Sequence, residues 1–193
     1  MGFFQRFAKQ NKDNPFKDVF HTDDYYAAVM WAVKQGVAAP NADGLFDPRS
    51  GCTRAQAVTF LWKVAGSPAP AATVSPFIDV KESDSCFAPV MWAVEHGIGS
   101  EIGEGVFAAN ASVTRAQFLT MLHRAVGKPT AVKREWDFID VSEQDFYFEA
   151  MLWALEKDIA APLADGVFAP YSVCSRSQVV EFLYKAFNRE HFC

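Results

Sequence analysis

One pattern of apolar and polar positions is written three times along the chain. In the first copy Tyr26, Val29, Met30, Val33 and Val37 fall at steps of three and four, the spacing of one face of a helix. A second stripe follows at Ala57, Phe60, Leu61 and Val64. It returns at Phe118, Met121, Leu122 and Ala125, and again at Val179, Phe182, Leu183 and Ala186. Each copy thus predicts an extended F-x-D-V entry, a first helix (residues 25–36 in the first copy), a loop and a second helix. The loops read ADGLFDP, GEGVFAA and ADGVFAP. Their Asp43-Gly44 and Asp165-Gly166 pairs are turn signals, and the Phe that follows is expected to pin the loop to the core.

The register is kept without an insertion. Trp31, Trp92 and Trp153 stand 61 residues apart, as do Phe16, Phe77 and Phe138, and Asp18, Asp79 and Asp140. So do Phe46, Phe107 and Phe168, and Arg54, Arg115 and Arg176. A fixed period of this kind marks a repeat architecture. The predicted organisation is an N-terminal extension over residues 1–15 and three helix-loop-helix repeats over residues 16–70, 77–130 and 138–190. Two short helices cannot bury both their faces alone, and the connectors are too short for independent domains. The three copies are therefore expected to close around a shared core, as one all-α bundle with approximate threefold symmetry.

Each second helix begins on a signal of its own. Thr53, Thr114 and Ser175 are N-cap residues, and Gln56, Gln117 and Gln178 follow three positions later in the capping-box arrangement. Removing such a cap costs about 1 kcal/mol. The box accounts for the hydroxyl and the amide but not for the arginine between them. At the end of the first helix, Gly36 and Gly97 sit where a left-handed terminus favours glycine, while the third copy has Asp158.

Composition removes several classes of function. Half of the 193 residues are hydrophobic and the net charge is −5, with no basic stripe, which argues against a nucleic-acid partner. No apolar run reaches the ~18 residues of a transmembrane segment. The start, MGFFQRFAKQNKDNPF, lacks an uninterrupted apolar signal core, so either a signal was removed or export by that route is not expected. Phe3, Phe4 and Phe7 beside Arg6 and Lys9 read as a short segment that docks on its own domain or frays, ahead of a membrane-surface anchor. Cys52, Cys86, Cys174 and Cys193 form no metal-type spacing. Val113 fills the slot of Cys52 and Cys174, so free thiols are expected, with Cys193 the most reactive. His21, His96, His123 and His191 do not recur, and NADGLFDP lacks the later Glu of a calcium loop. Neither a catalytic residue, nor a cofactor, nor a metal is expected.

The combination F-x-D-V, W-A, G-[VI], G-x-F-x-P and [TS]-R-[AS]-Q at this spacing resembles the S-layer homology family over about residues 16–190. The resemblance implies a three-prong spindle in which each copy gives one helix to a central bundle. It also implies grooves between copies that bind cell-wall polysaccharide, often pyruvylated. The family's Thr-Arg-Ala-Glu motif falls on Thr53-Arg54-Ala55-Gln56, Thr114-Arg115-Ala116-Gln117 and Ser175-Arg176-Ser177-Gln178, which makes Arg54, Arg115 and Arg176 the anion-binding residues. An arginine one residue past an N-cap suits that task, because helix N–H groups and the helix dipole favour an anion there. Trp31, Trp92 and Trp153 are the candidate sugar platforms. The competing structural readings pair each arginine with Asp18, Asp79 or Asp140 and place each tryptophan in the core.

One departure bears on binding. The family's second loop glycine is replaced by Pro40, Glu101 and Pro162. With loop and arginine taken from the same copy, Glu101 would oppose an acidic ligand at Arg115, so affinity is expected to rest on Arg54 and Arg176. The implied function is a non-enzymatic envelope-anchoring module at the bacterial cell surface. The alternative is a repurposed scaffold for self-assembly or a protein partner, inside the cell if no signal was removed.

Overall fold

A computed structural model describes residues 13–188. It contains six α-helices and no named strand among the described residues: α1 Tyr26–Lys34, α2 Arg54–Val64, α3 Phe87–Glu95, α4 Arg115–Ala125, α5 Phe148–Glu156 and α6 Arg176–Phe187. The all-α expectation holds. None of these helices is long and apolar enough to cross a membrane. The reading of Phe3, Phe4 and Phe7 and the reactivity of Cys193 lie outside the described residues.

All three second helices begin with a complete capping box. The Thr53, Thr114 and Ser175 hydroxyls accept the N–H of Gln56, Gln117 and Gln178, whose side chains accept the N-cap N–H in return. The first helices start differently. Asp23, Asp84 and Asp145 accept the N–H of Phe20, Lys81 and Ser142, closing a turn that feeds the helix. At their ends Gly36 (φ 70°), Gly97 (φ 64°) and Asp158 (φ 53°) share the left-handed conformation, so aspartate takes the turn that glycine takes elsewhere.

The helices do not pair within their own copies. α3 packs on α2, α5 on α4, and α1 on α6, so each first helix lies against the second helix of the preceding copy. α2, α4 and α6 also touch one another. Around that meeting point the backbone makes a cycle of hydrogen bonds: Cys52 N–H to Cys174 O (2.9 Å), Cys174 N–H to Val113 O (2.9 Å) and Val113 N–H to Cys52 O (2.8 Å).

This arrangement explains which faces are buried. Each second helix meets two others and one first helix, so it buries Val58, Leu119 or Val180 beside its expected stripe, all at 0% exposure. Val64, Ala125 and Ala186, at the far ends of the stripes, are half-buried. On α1 the buried residues are Ala28, Val29 and Ala32, with Tyr26, Met30 and Val33 only half-buried. α1 packs on α6, and the face it buries runs through Ala28, Val29 and Ala32, shifted from the predicted one. Cys52 and Cys174 are buried free thiols, and burial pushes both up to about 12.

Candidate anion-binding grooves between copies

The recurring arginine joins neighbouring copies. Arg54, the first residue of α2, donates from Nε to Phe107 O (2.9 Å) and from Nη2 to Ser100 O (2.9 Å), both in the second copy's loop. Arg115 does the same for the third copy, to Phe168 O (3.2 Å) and Ala161 O (2.8 Å). Arg176 donates to Phe46 O (2.8 Å) in the first copy. Each guanidinium also lies over the ring of the phenylalanine it grips, at 4.8, 4.8 and 4.9 Å for Phe107, Phe168 and Phe46.

The recurring aspartate completes this clamp from the other side of the peptide. Asp18 accepts the N–H of Phe46 and Asp47, Asp79 that of Phe107 and Ala109, and Asp140 that of Phe168 and Ala169. Each loop phenylalanine therefore has its N–H on a carboxylate of its own copy and its carbonyl on an arginine of the preceding one. The aspartates do not ion-pair with the arginines; their oxygens hold backbone amides. At Asp79 burial raises the carboxyl pKa, but the Ala109 and Phe107 amides outweigh it and bring the net value below the ordinary one.

The three arginines consequently have no carboxylate at salt-bridge distance, since the ion pairs among the described residues lie elsewhere. Arg54 and Arg115 are 5% and 2% exposed. Burial lowers the pKa of all three, and the recurring aspartates Asp79, Asp140 and Asp18, too far to form ion pairs, offset it only in part.

A second cation recurs at the same period. Lys63, Arg124 and Lys185 stand nine residues after the three arginines, and Lys63 Nζ donates to Val37 O (3.2 Å) while Arg124 Nη1 reaches Ile98 O (3.5 Å). Arg54 and Arg124 line one cavity of about 170 Å³, together with Gly99, Ser100, Gln117 and Phe146. The sequence reading missed this row, although the 61-residue interval carried it.

The pairing across copies moves Glu101. Its loop neighbour Ser100 is held by Arg54, not by Arg115. The expectation that Glu101 compromises the Arg115 groove is corrected: the loop carrying Glu101 belongs to the Arg54 groove. The Pro162 loop belongs to Arg115 and the Pro40 loop to Arg176.

Trp92 and Trp153 are each 5% exposed and lie in the core, against His96 and His123. Trp31 is half-buried and meets Tyr184 edge-on at 5.8 Å. None of the three lines the Arg54–Arg124 cavity.

The S-layer homology domain model matches residues 15–58 and 76–119, which contain the entry, first helix, loop and capping box of the first two copies. The chain is 26% identical over 158 residues to cell surface glycoprotein 1 of Acetivibrio thermocellus, covering 76% of this chain and 7% of that protein. It is 24% identical over 155 residues to the cellulosome-anchoring protein of the same organism, covering 76% and 34%. An endoglucanase of a Bacillus species is 29% identical over 113 residues, covering 58% and 12%. The chain thus spans about a third or less of the length of these relatives.

Proposed function

We propose that this chain is a non-enzymatic module that anchors to the bacterial cell wall, with acidic wall polysaccharide, pyruvylated polymers among them, bound in the grooves between copies. The observation that carries this reading is the set of three inter-copy arginines, Arg54 and Arg115 buried and Arg176 half-buried, with no carboxylate at salt-bridge distance. In one groove a second cation, Arg124, joins Arg54 on the same small cavity. A ketal carboxylate or phosphate would supply the missing counter-ion, and a guanidinium with unused N–H groups favours that geometry. The cell-surface and cellulosome-anchoring relatives support the same reading. Arg54, Arg115 and Arg176 are then both loop clamps and ligand contacts. Trp92 and Trp153, buried in the core, and half-buried Trp31 add little direct sugar contact.

The test is retention of the chain on purified, acidic Gram-positive wall polymer. Arg124→Gln is the informative variant, because it removes a groove charge while leaving the Arg54 clamp intact. Its affinity should fall about ten- to a hundredfold, as for loss of a charge-assisted contact of roughly 1.5–3 kcal/mol. Glu101→Gln should strengthen binding. Equal retention of wild type and Arg124→Gln would remove the anion-groove reading. A second reading, self-assembly, is favoured by Ile78 and Ile139, which stand 77% and 88% exposed at equivalent positions. It gains ground if wild type ignores every wall preparation and sediments as an oligomer.

A further inference from the structure

The three grooves share one backbone plan but not one chemistry. Beside the Arg54–Arg124 cavity lies a second one of about 330 Å³, and the two share Thr120, Arg124 and Phe146. The second alone falls within the ~300–1,000 Å³ usual for small-molecule sites. Phe146 stands where the two meet and is 63% exposed. It meets Tyr147 at a right angle, ring centroids 5.3 Å apart, which steadies it just ahead of α5. The sequence offers tryptophans as sugar platforms, yet the aromatic that lines this cavity is Phe146.

We propose that the Arg54–Arg124 groove is the one of the three that holds the acidic glycan, and that Phe146 sets its specificity. This rests on the anion-groove reading and narrows it to one groove and one platform residue. A ketal carboxylate faces Arg54 and Arg124, and the pyranose that carries it stacks on Phe146. The C–H face of a pyranose is apolar and the face of an aromatic ring is electron-rich, so the two attract without a charge. The guanidiniums then select the acid, and the phenylalanine selects the sugar.

The 61-residue register shows how the other grooves differ. The counterparts of Phe146 are Asp24 in the Arg115–Lys185 groove and Ser85 in the Arg176–Lys63 groove. Thr120, whose hydroxyl bonds back to Ala116 O, has Glu181 as its counterpart beside Lys185. Asp24, Glu181 and Lys185 line one surface, so two carboxylates oppose an anion there. In the Arg176–Lys63 groove Lys63 is a point charge that already donates to Val37 O (3.2 Å), and Ser85 has no ring to stack on.

The Arg54 groove alone pairs two arginines. Arg124 Nη1 reaches Ile98 O only at 3.5 Å, so its forked donors are weakly engaged. Two acids lie near, and neither opposes a ligand at the cavity. Glu149, on the second cavity, is held by Arg134 through two hydrogen bonds of 2.8 and 3.1 Å. Glu101 is exposed, and its loop lines the cavity through Ser100 and Ile102 on either side of it.

The experiment is calorimetric titration of the full chain with a synthetic disaccharide bearing a 4,6-linked pyruvate ketal. One binding site per chain is expected. Phe146→Ser and Phe146→Leu should each weaken binding about three- to tenfold, as for loss of an aromatic contact, while Phe146→Trp binds at least as tightly as wild type. Melting curves of all three should match wild type, since Phe146 is mostly exposed. Salt separates the two roles: affinity of Phe146→Ser should fall with ionic strength as steeply as wild type, whereas Arg124→Gln flattens that dependence. If Phe146→Ser and Phe146→Leu bind as wild type while Arg124→Gln is weakened, the platform is overturned and the anion-groove reading stands. Three equal sites would overturn the choice of one groove. If wild type ignores the disaccharide, or Arg124→Gln binds as wild type, the anion-groove reading fails and this inference with it.

Discussion

The arginine of the T-R-A-Q motif shows how much a residue pattern reveals. Its neighbours were readable from local physics alone, because Thr53 and Gln56 need only the first turn of their own helix to explain them. Arg54 acts 53 residues away, on Phe107 O, and no local rule names that partner. The recurrence of Asp, Phe and Arg at one period is visible in the sequence, but which copy's Phe meets which copy's Arg is not, and that pairing puts the Glu101 loop on Arg54 and not on Arg115. The clamp has a measurable consequence. Arg115→Met should destabilise the fold by about 2–4 kcal/mol in urea, because it leaves Phe168 O and Ala161 O without their charged donor. An unchanged urea midpoint would show the clamp to be idle. Asp158→Gly should act oppositely, raising stability by about 0.5–1 kcal/mol, since φ 53° suits glycine better than aspartate. The buried thiols give a third residue-level check. Under denaturing, non-reducing conditions a thiol reagent should count the four cysteines as free. In the native state Cys52 and Cys174 should resist it, being buried and protonated.

At the scale of elements, helical periodicity found the six helices among the described residues and most of each second helix's buried stripe, and the difference lies in the face that α1 buries. The predicted stripe of the first helix runs through Tyr26, Val29, Met30, Val33 and Val37, because large apolar residues dominate such a pattern. Val29 and Val37 are buried, Tyr26, Met30 and Val33 are half-buried, and Ala28 and Ala32 complete the buried face. The connectors read as plain linkers, and their attachment to the first helices went unseen. Glu95 and Glu156 hold them through pairs of backbone N–H groups. Those amides lower both carboxyl pKa values, so the native state favours the ionised form more than the unfolded chain does. The stabilisation is therefore complete above the ordinary Glu value of 4.5 and is lost as pH falls through that value and below it. Glu95→Gln with Glu156→Gln should lower the melting temperature at pH 7, and the gap to wild type should close in acid. A gap that persists at pH 3 would mean that the carboxylates contribute by shape and not by charge.

At the scale of the molecule, the helix pairing binds the copies into one folding unit. The sequence shows three helix-loop-helix copies, at residues 16–70, 77–130 and 138–190, that must share a core, but it does not show which copies' helices pair. In the structure every first helix has its principal partner in another copy: α1 on α6, α3 on α2, α5 on α4. The cycle of backbone bonds through Cys52, Val113 and Cys174 likewise needs all three copies at once. Cutting out one copy therefore removes the main apolar cover of both its helices. Helices of nine to twelve residues are marginal alone in water, because nucleation is costly and packing supplies most of their stability. Residues 77–130 made alone should show little helicity and no cooperative melt. Residues 1–130 should fare little better, with α1 lacking α6 and α4 lacking α5. By contrast, residues 1–74 mixed with residues 75–193 retain every helix pair, with only the first connector cut. The mixture should regain most of the intact chain's ellipticity and melt in one transition. We propose further that the copies superpose by rotations near 120°, which a crystal structure would measure directly. A cooperative melt from residues 77–130 alone would mean that each copy folds by itself, and the cyclic dependence argued from the helix pairing would then be wrong.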